Sequence, residues 1–401
     1  MTGINNKLAR LVAMRARTLA VICIVTGWAC SEPLAPEPPG SFAALSAGHQ
    51  HTCGLQRDGT AYCWGRNAEG QIGTTQTDAY YPLPQVVSTE LKFSQIAAGY
   101  GHTCALTADG VAYCWGSNVS GELGRATVPS SRIPVPVDGG LTFTALAVGQ
   151  THSCGLTAAG AAYCWGNNNW GQIGHDTSAL RVGVPIAVAG GHMFATIAAG
   201  GASTCGIESD GSAYCWGYND TGALGSGDTA RAIGVPVAVA GGLKFKSISA
   251  GSLHACGVTT SNGVYCWGQS DDGALGIGRA SGNYRTPQRT HSDRSFTTVS
   301  VGDQHSCALD LDGALMCWGF DFSDQLGGAA RDQCDGVPCA LTPIAAARNH
   351  YFQALTTGAA YSCGLAFNGA AFCWGENGDG QIGNGRVEVT TPSPSRVADP
   401  P

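Results

Sequence analysis

The sequence predicts an all-β fold, a seven-bladed β-propeller with four strands in each blade. A Cys-Trp-Gly triplet occurs seven times between Cys63 and Gly375, at intervals of 50–56 residues. Each copy contains four short apolar stretches separated by turn residues, which is the pattern of a propeller blade. Glycine supplies 59 of the 401 residues, about double its usual share of about 7%, as a fold with many tight turns requires.

The third repeat shows the order of the elements clearly. Its predicted strands are residues 143–149, 152–156, 161–166 and 184–188. A Gly-rich turn separates the second strand from the third, and a long connection of the form Gly-x-Asn-x-x-Gly-x-Ile-Gly leads to the fourth. The predicted propeller domain covers residues 41–398.

The fourth strand of each repeat is followed closely by the first strand of the next. Because short connections usually join neighbouring strands, we expect these two strands to pair. Residues 394–397 would then supply the missing strand of the first blade, beside residues 42–45. This pairing would close the ring and remove open sheet edges.

Two cysteines lie ten positions apart in every repeat, on either side of an Asp-Gly, Asn-Gly or Ala-Gly turn. A three-residue hairpin loop with Gly in the left-handed conformation places the two cysteines directly opposite one another, at a separation that suits a disulfide. An eighth pair lies in the long connection of the sixth repeat. The predicted pairs are Cys53–Cys63, Cys104–Cys114, Cys154–Cys164, Cys205–Cys215, Cys256–Cys266, Cys307–Cys317, Cys334–Cys339 and Cys363–Cys373. Metal binding is the competing interpretation, but no Cys-x-x-Cys occurs, so we predict no metal and no cofactor.

The first 40 residues differ in composition from the rest. A basic start without acidic residues precedes the apolar run 19–25, so residues 1–29 are predicted to be a secretory signal, with translation starting at Met1 or at Met14. Small residues before Cys30 predict that this cysteine is lipidated, and residues 30–40 form a Pro-rich spacer. Cleavage without lipidation is the alternative. We expect export to a bacterial cell envelope or secretion.

The formal charge of the chain is −7, and only 12% of its residues are charged. Removing residues 1–29 takes away four basic side chains and no acidic one, so the propeller is more acidic still. Nucleic-acid binding normally requires a basic patch that neutralises phosphates. The composition therefore argues against a nucleic-acid partner, and membrane contact is expected only through the N-terminal lipid.

Residues 99–124 carry Gly-x-x-His-Thr, then Asp-Gly, then Trp-Gly-x-Asn-x-x-Gly-Glu-Leu-Gly, and this pattern recurs in all seven copies with modest drift. It closely resembles the repeat of the regulator-of-chromosome-condensation family. The resemblance implies a seven-bladed propeller. It also implies two functional precedents: a nuclear guanine-nucleotide exchange factor that binds chromatin, and a secreted bacterial inhibitor of β-lactamase that captures a protein.

Five histidines share one position of the repeat, and the fourth and seventh copies have Ser203 and Tyr361 there. The position contains His51, His102, His152, His254 and His305. A ring of imidazoles suggests a metal or catalytic site, but a residue that recurs once per blade before Ser, Thr or Ala is more simply structural. We expect each one to hydrogen-bond the backbone of its own blade.

Positions that break the repeat are the informative ones for function. In the long connections, Trp170, Tyr218, Phe320 and Phe322 are large aromatic residues among polar ones, a composition typical of protein-contact sites. Packing against neighbouring blades is the alternative interpretation. No nucleophile elbow, phosphate loop or zinc-hydrolase motif occurs.

The predicted function is therefore that of an exported, lipid-anchored, non-catalytic, monomeric propeller that binds a protein or peptide through loops on one face. One alternative is guanine-nucleotide exchange, implied by the family resemblance. Another is action on extracellular polysaccharide, which would require two converging carboxylates on the same face.

Overall fold

The computed structural model describes residues 41–400, and these residues form seven antiparallel β-sheets packed side by side in a ring. The only helical element of this range is the 3₁₀ turn Asp271–Gly273, so no helix there is long and apolar enough to cross a membrane. The predicted signal (1–29), the lipidation site Cys30 and the spacer (30–40) lie outside the described residues.

The strands follow the repeat, and each blade uses consecutive strands. Blades 1–3 contain β1 (Ala44–Ala47), β2 (His51–Leu55), β3 (Ala61–Arg66), β4 (Tyr80–Val86), β5 (Phe93–Ala98), β6 (His102–Thr107), β7 (Ala112–Ser117), β8 (Ser130–Pro136), β9 (Ala145–Val148), β10 (His152–Leu156), β11 (Ala162–Asn167) and β12 (Arg181–Ala187). Blades 4 and 5 contain β13 (Phe194–Ala199), β14 (Ser203–Glu208), β15 (Ala213–Tyr218), β16 (Ala232–Ala238), β17 (Phe245–Ala250), β18 (His254–Thr259), β19 (Val264–Gln269) and β20 (Asn283–Arg289). Blades 6 and 7 contain β21 (Phe296–Val301), β22 (His305–Asp310), β23 (Leu315–Phe320), β24 (Asp332–Cys334), β25 (Val337–Ala345), β26 (Phe352–Thr357), β27 (Tyr361–Ala366), β28 (Ala371–Glu376) and β29 (Thr390–Arg396).

The predicted architecture of seven four-stranded blades is confirmed. Six of the sheets have four strands in sequence order, and the sheet of blade 6 carries β24 as a fifth strand on its outer edge. The turns that follow the first strands surround a central cavity, so β1 and its equivalents form the inner edge of each blade.

The predicted pairing of strands between repeats is wrong. β29 pairs with β28 of its own blade, with Thr391 opposite Gly375, so residues 394–397 do not add a strand to the first blade. A connection of about six residues, such as residues 87–92, can span about 20 Å. That length exceeds three strand spacings of about 4.8 Å, so the connection crosses its own blade before the next one begins.

The ring closes through a backbone hydrogen bond that also occurs between the other blades. The Phe42 amide donates to the Gly369 carbonyl at 2.8 Å, as the Phe93 amide donates to the Gly59 carbonyl at 2.8 Å between blades 2 and 1. Phe42 and Trp64 of the first blade share one buried cluster with Val397 of the last. The two ends of the domain are therefore held by packing and not by a shared sheet.

The glycine of the Cys-Trp-Gly triplet lies at a β-bulge. The register between β3 and β4 shifts between Cys63 and Gly65, and Gly65 has a φ of +99°. A Cβ atom at Gly65 would lie 2.6 Å from the carbonyl oxygen of Gln50. Only glycine fits both the left-handed conformation and this close approach, which explains why the triplet ends in glycine.

Candidate protein-binding face

The two faces of the ring differ in the segments they carry. One face carries the turns between the first and second strands and the long connections between the third and fourth strands; we call it the loop face. The opposite face carries the tight turns between the second and third strands and the connections between blades; we call it the hairpin face. All four of the aromatic residues predicted to bind a partner lie on the loop face.

The tryptophan of each triplet lies fully buried in a seam between two blades. The Trp115 indole donates to the carbonyl oxygen of Gln71 in the preceding blade at 2.9 Å, and the Thr103 hydroxyl donates to the same oxygen at 2.9 Å. The indole bond is present at all seven seams, and the hydroxyl bond at six. These tryptophans hold the ring together and are unavailable to a ligand.

The five repeated histidines bridge the same seams. His51 Nε2 lies 2.8 Å from the hydroxyl of Thr103 in the next blade. The other four pairs are His102–Ser153, His152–Thr204, His254–Ser306 and His305–Ser362, at 2.8–3.0 Å. The expected bond to the backbone of the same blade is therefore wrong, because the imidazole extends across the seam to a neighbouring hydroxyl.

The hydrogen-bond network fixes the tautomer of these histidines. Each Ser or Thr hydroxyl donates its hydrogen to a carbonyl, so its oxygen accepts a hydrogen from Nε2 of the histidine, and Nδ1 carries none. Burial lowers the pKa of the five histidines from 6.5 to about 3 for His51, His102 and His254, and to about 4 for His152 and His305. They are neutral structural groups.

Two seams depart from the pattern. Between blades 4 and 5 the histidine is replaced by Ser203 and the facing hydroxyl residue by Ala255, and the Thr221 hydroxyl instead donates to the Leu253 carbonyl at 2.9 Å. At the closing seam the Tyr361 hydroxyl donates to the His51 carbonyl at 2.6 Å and lies 2.9 Å from the hydroxyl of Thr52. The seam between blades 4 and 5 therefore lacks both members of the usual pair.

A cavity of about 90 Å³ opens in the centre of the loop face. Its rim position differs in every blade, being His49, Tyr100, Gln150, Gly201, Ser252, Asp303 and Ala359. Several of these side chains converge on the Asp303 carboxylate, which accepts hydrogen bonds from the Ser252 hydroxyl and from Gln150, the latter at 3.4 Å. Sequence reasoning missed this rim, although its variability was visible as the residue after the glycine in each Gly-x-x-His motif.

The rim does not form a catalytic triad. His49 Nε2 lies 3.3 Å from Asp303, but the Ser252 hydroxyl bonds Asp303 and not the imidazole, so the Ser–His–Asp order of a triad is absent. Burial opposes ionisation of Asp303, but the hydrogen bonds from His49 and Ser252 outweigh it and lower the pKa of this carboxyl. Among residues 41–400, no group of three or more His, Cys, Asp or Glu side chains is arranged to hold a metal ion.

The four predicted contact residues form two separate aromatic pairs. Trp170 of blade 3 meets Tyr218 of blade 4 edge-to-face, with ring centroids 5.1 Å apart, and the Arg231 guanidinium lies 4.9 Å from the Trp170 ring centre. Phe320 and Phe322 of blade 6 are stacked at 6.1 Å. Trp170 and Tyr218 thus pack across a seam, whereas the Phe322 side chain is 67% exposed and extends from the surface.

Exposed carboxylates differ in whether a basic side chain lies beside them. On the hairpin face Lys92 binds Asp58 at 2.8 Å and Lys244 binds Asp210 at 2.6 Å, and these bonds lower the pKa of both carboxyls to about 2. On the loop face, the described residues place no Lys, Arg or His nitrogen within 4 Å of Asp271, Asp272, Asp335, Glu376 or Asp379. These five carboxylates of blades 5–7 therefore have no close ion-pair partner among the described residues.

Asp321 occupies a position that is asparagine in five other blades and serine in blade 5. In blade 1 the Asn67 side chain accepts a hydrogen bond from the Ile72 amide and donates one to the Asp78 carbonyl. Asp321 accepts the equivalent bond from the Leu326 amide at 3.0 Å. Burial, together with the nearby Asp324 charge, raises the pKa of Asp321 to about 7.

The structure joins the cysteines in the eight predicted pairs. The seven pairs within hairpins have Cα atoms 4.0–4.1 Å apart, and those of Cys334 and Cys339 lie 5.9 Å apart. Cys104 lies opposite Cys114, which is the register that the turn predicts. The paired cysteines are buried, and each pair crosslinks a hairpin, so their role is structural.

Comparison with known proteins gives matches over most of the propeller. The chain is 29% identical over 350 residues to the ultraviolet-B receptor UVR8 of Arabidopsis thaliana, covering 86% of this chain and 67% of that protein. It is 28% identical over 352 residues to the human E3 ubiquitin-protein ligase HERC2, and these cover 82% of the chain but only 7% of the ligase. The structure of Prp20p from Saccharomyces cerevisiae superposes with a TM-score of 0.75 at 21% identity, covering 89% of this chain and 87% of that one.

The repeat itself identifies the family. The family model for the "Regulator of chromosome condensation (RCC1) repeat" matches residues 58–106, 109–156, 159–207, 210–258 and 261–309. A second model of the same repeat matches six segments between residues 42 and 325. The first set alone covers more than half of the chain. The protein belongs to the RCC1 repeat family.

Proposed function

We propose that this protein is an exported, lipid-anchored propeller that binds a protein or peptide partner through its loop face and catalyses no reaction. The observation that carries the proposal is the distribution of repeated and variable side chains. Repeated side chains fill the seams, whereas the rim of the cavity and the aromatic residues of the long connections differ from blade to blade. Residues in the seams must fit the packing between blades, whereas the variable residues on the loop face have no such requirement and can specify a partner.

Related propellers support a protein partner. The structure of Prp20p is described together with its binding properties to Gsp1p and histones. The acidic composition of this chain argues against nucleic acid as its ligand. We propose that the domain acts as a monomer and contacts the membrane only through the lipid.

Export and anchoring rest on the N-terminal sequence. A basic start and an apolar run precede Cys30, and the Pro-rich spacer 30–40 would hold the propeller away from the membrane. We propose the bacterial cell envelope as its location. Replacing Cys30→Ala should move the protein from the membrane fraction to the soluble fraction and remove the mass of the lipid. Retention of a membrane-bound Cys30→Ala protein would contradict the anchor.

The binding face is tested by capture from an envelope extract with the oxidised domain 41–401. The variant Phe320→Ser/Phe322→Ser should lose the captured partner while keeping the wild-type melting temperature. Phe367→Ser is the matched control, because Phe367 is also exposed (64%, against 67% for Phe322) but lies on the hairpin face. If only the Phe367→Ser control loses the partner, the binding site lies on the hairpin face and the proposed loop-face site is wrong.

The pair Trp170 and Tyr218 separates packing from binding. Because these rings meet across the seam of blades 3 and 4, Trp170→Ser should lower the melting temperature by about 2 °C or more. A variant that keeps its melting temperature but loses the partner would instead assign Trp170 to the binding surface.

A further inference from the structure

A surface at the boundary of blades 5 and 6 combines exposed aromatic and acidic side chains. We call it the blade 5–6 surface and define it as Asp271, Asp272, Phe320, Phe322 and Asp335. The 3₁₀ turn Asp271–Gly273 of blade 5 packs directly on β25 of blade 6, where a Cβ at Gly273 would lie 2.9 Å from the Ala340 carbonyl oxygen. The two blades therefore present these side chains on one continuous surface.

The hairpin of blade 6 is the main departure from the repeat in the long connections. β24 and β25 form a short hairpin whose turn, Asp335–Gly336, has φ values of +48° and +84°, as a tight two-residue turn requires. Cys334 and Cys339 are joined across this hairpin, and the Asp332 carboxylate accepts a hydrogen bond from the Leu341 amide at 2.9 Å. The hairpin is thus held in one conformation and presents Asp335 to solvent.

The stacked phenylalanines are fixed to the same hairpin. Phe320 pairs with Cys339 between β23 and β25, and the Asp321 amide donates to the Pro338 carbonyl at 3.0 Å. Phe322 follows directly and is 67% exposed. A stacked ring pair on a fixed backbone loses little conformational entropy when a partner covers it.

The carboxylates of this surface have polar contacts, and none of them forms an ion pair within 4 Å with a described Lys, Arg or His side chain. Gln269 donates to the Asp271 carboxylate, and Gln304 donates to Asp272 at 3.4 Å. Burial and the neighbouring charges of Asp271 and Asp335 raise the pKa of Asp272. On the hairpin face Lys92 and Lys244 neutralise two of the exposed carboxylates, Asp58 and Asp210.

We propose that the blade 5–6 surface binds a segment of a partner protein in which lysine or arginine alternates with apolar residues. Three carboxylates without a counter-ion favour positive charge, and the exposed Phe322 ring offers both apolar area and a face for a cation. An acidic segment would be repelled by the same carboxylates. This inference rests on the proposed function and adds to it the chemical class of the partner.

The direct test measures fluorescence anisotropy of two labelled decapeptides, one of alternating Lys and Leu and one of alternating Glu and Leu. The Lys-Leu peptide should bind the wild-type domain, and its affinity should fall about tenfold between about 50 mM and about 300 mM NaCl. The variant Asp271→Asn/Asp272→Asn/Asp335→Asn and the single variant Phe322→Ser should each lower the affinity for the Lys-Leu peptide by about fivefold or more.

The matched control removes the same amount of charge from the hairpin face. Asp109→Asn/Asp293→Asn/Asp312→Asn changes three exposed carboxylates there and should alter the affinity by less than about twofold. Equal weakening by this control, or binding of the Glu-Leu peptide as tight as that of the Lys-Leu peptide, would overturn the proposal. Melting temperatures of all variants show that the fold is intact.

Capture from an envelope extract separates this proposal from the proposed function. If Phe320→Ser/Phe322→Ser abolishes capture but the triple Asp→Asn variant retains the partner, the loop face binds protein, but the partner segment is not recognised by its positive charge. If capture is independent of every loop-face variant, the proposed function itself fails. If both variants lose the partner and the hairpin-face control keeps it, both proposals hold.

Discussion

Asp321 differs by one side-chain atom from the asparagine that five other blades have at its position. An asparagine at this position donates and accepts a hydrogen bond, whereas an ionised aspartate only accepts. Because burial raises its pKa to about 7 from 3.8, the folded state binds a proton that the unfolded state has released between these values. Asp321 therefore lowers stability as the pH rises from about 4 to 7.

Replacing Asp321→Asn should remove this loss. At pH 8 we expect the melting temperature to rise by about 2 °C or more, and at pH 4 we expect little change. Thermal unfolding at the two pH values measures the effect. A variant that is less stable than wild type at pH 8 would show that the charge has a favourable role.

The buried histidines act in the opposite direction. Their pKa values in the fold are about 3–4, below the unfolded value of 6.5, so the unfolded state binds more protons between these limits. Stability is complete above about pH 6.5 and declines as the pH falls toward 4.

The contribution of one histidine can be measured with His102→Gln, whose side-chain amide can still donate to Ser153. The slope of the free energy of unfolding against pH, between pH 5 and 6, should decrease by about 1.4 kcal/mol per pH unit. Denaturant titrations at several pH values give this slope. An unchanged slope would mean that His102 does not become protonated on unfolding.

Among the elements, the strands and hairpins follow directly from the sequence. The Cys-x₉-Cys spacing around a Gly turn predicts the register of Cys104 opposite Cys114, because a short loop with one left-handed residue leaves few alternatives. The pairing of the fourth strand was not predictable in the same way. A connection of about six residues fits both a return to the neighbouring strand and a crossing of the blade, and packing in the seams decides between them.

The seams themselves were predicted less well than the strands. The sequence shows that His51 and Thr52 recur as a pair, but their partners lie in two other repeats: Thr103 in the next one and the Gln381 carbonyl in the last. The exposed site was predicted only in part: Phe322 stands out as an aromatic residue on a loop, whereas the cavity rim is visible only once the ring brings its seven turns together.

Two substitutions should give the seam between blades 4 and 5 the histidine–hydroxyl hydrogen bond that it lacks. Ser203→His with Ala255→Ser would restore the imidazole and the hydroxyl that the other seams use. The double variant should gain about 1 kcal/mol and raise the melting temperature by about 2 °C. Ala255→Ser alone is the control, and a double variant less stable than this control would show that the seam has adapted to the smaller pair.

At the scale of the whole domain, residues 41–400 form seven uninterrupted stretches of sequence, each of which makes one blade and packs on the next through a seam. A propeller of this kind exposes its variable residues on its surface, while the repeated ones determine the shape of the ring. Family membership thus follows from the repeated residues that fill the seams.

All sixteen cysteines of residues 41–401 are expected to be paired, so the mature protein should contain no free thiol in this range. Mass spectrometry after alkylation without reduction should find none of the sixteen cysteines modified, and reduction should expose all sixteen. Fourteen or more free thiols in the untreated protein would refute the disulfide framework.

The location of the cysteine pairs also affects how the protein is oxidised. In all eight pairs the partner is the nearest cysteine along the chain, ten positions away in seven cases and five in the other. The entropy cost of bringing two thiols together rises with the length of chain between them, so the correct pair is also the one that meets most readily. Sixteen cysteines can therefore find their partners by local collisions, blade by blade, without the shuffling that long-range crosslinks require.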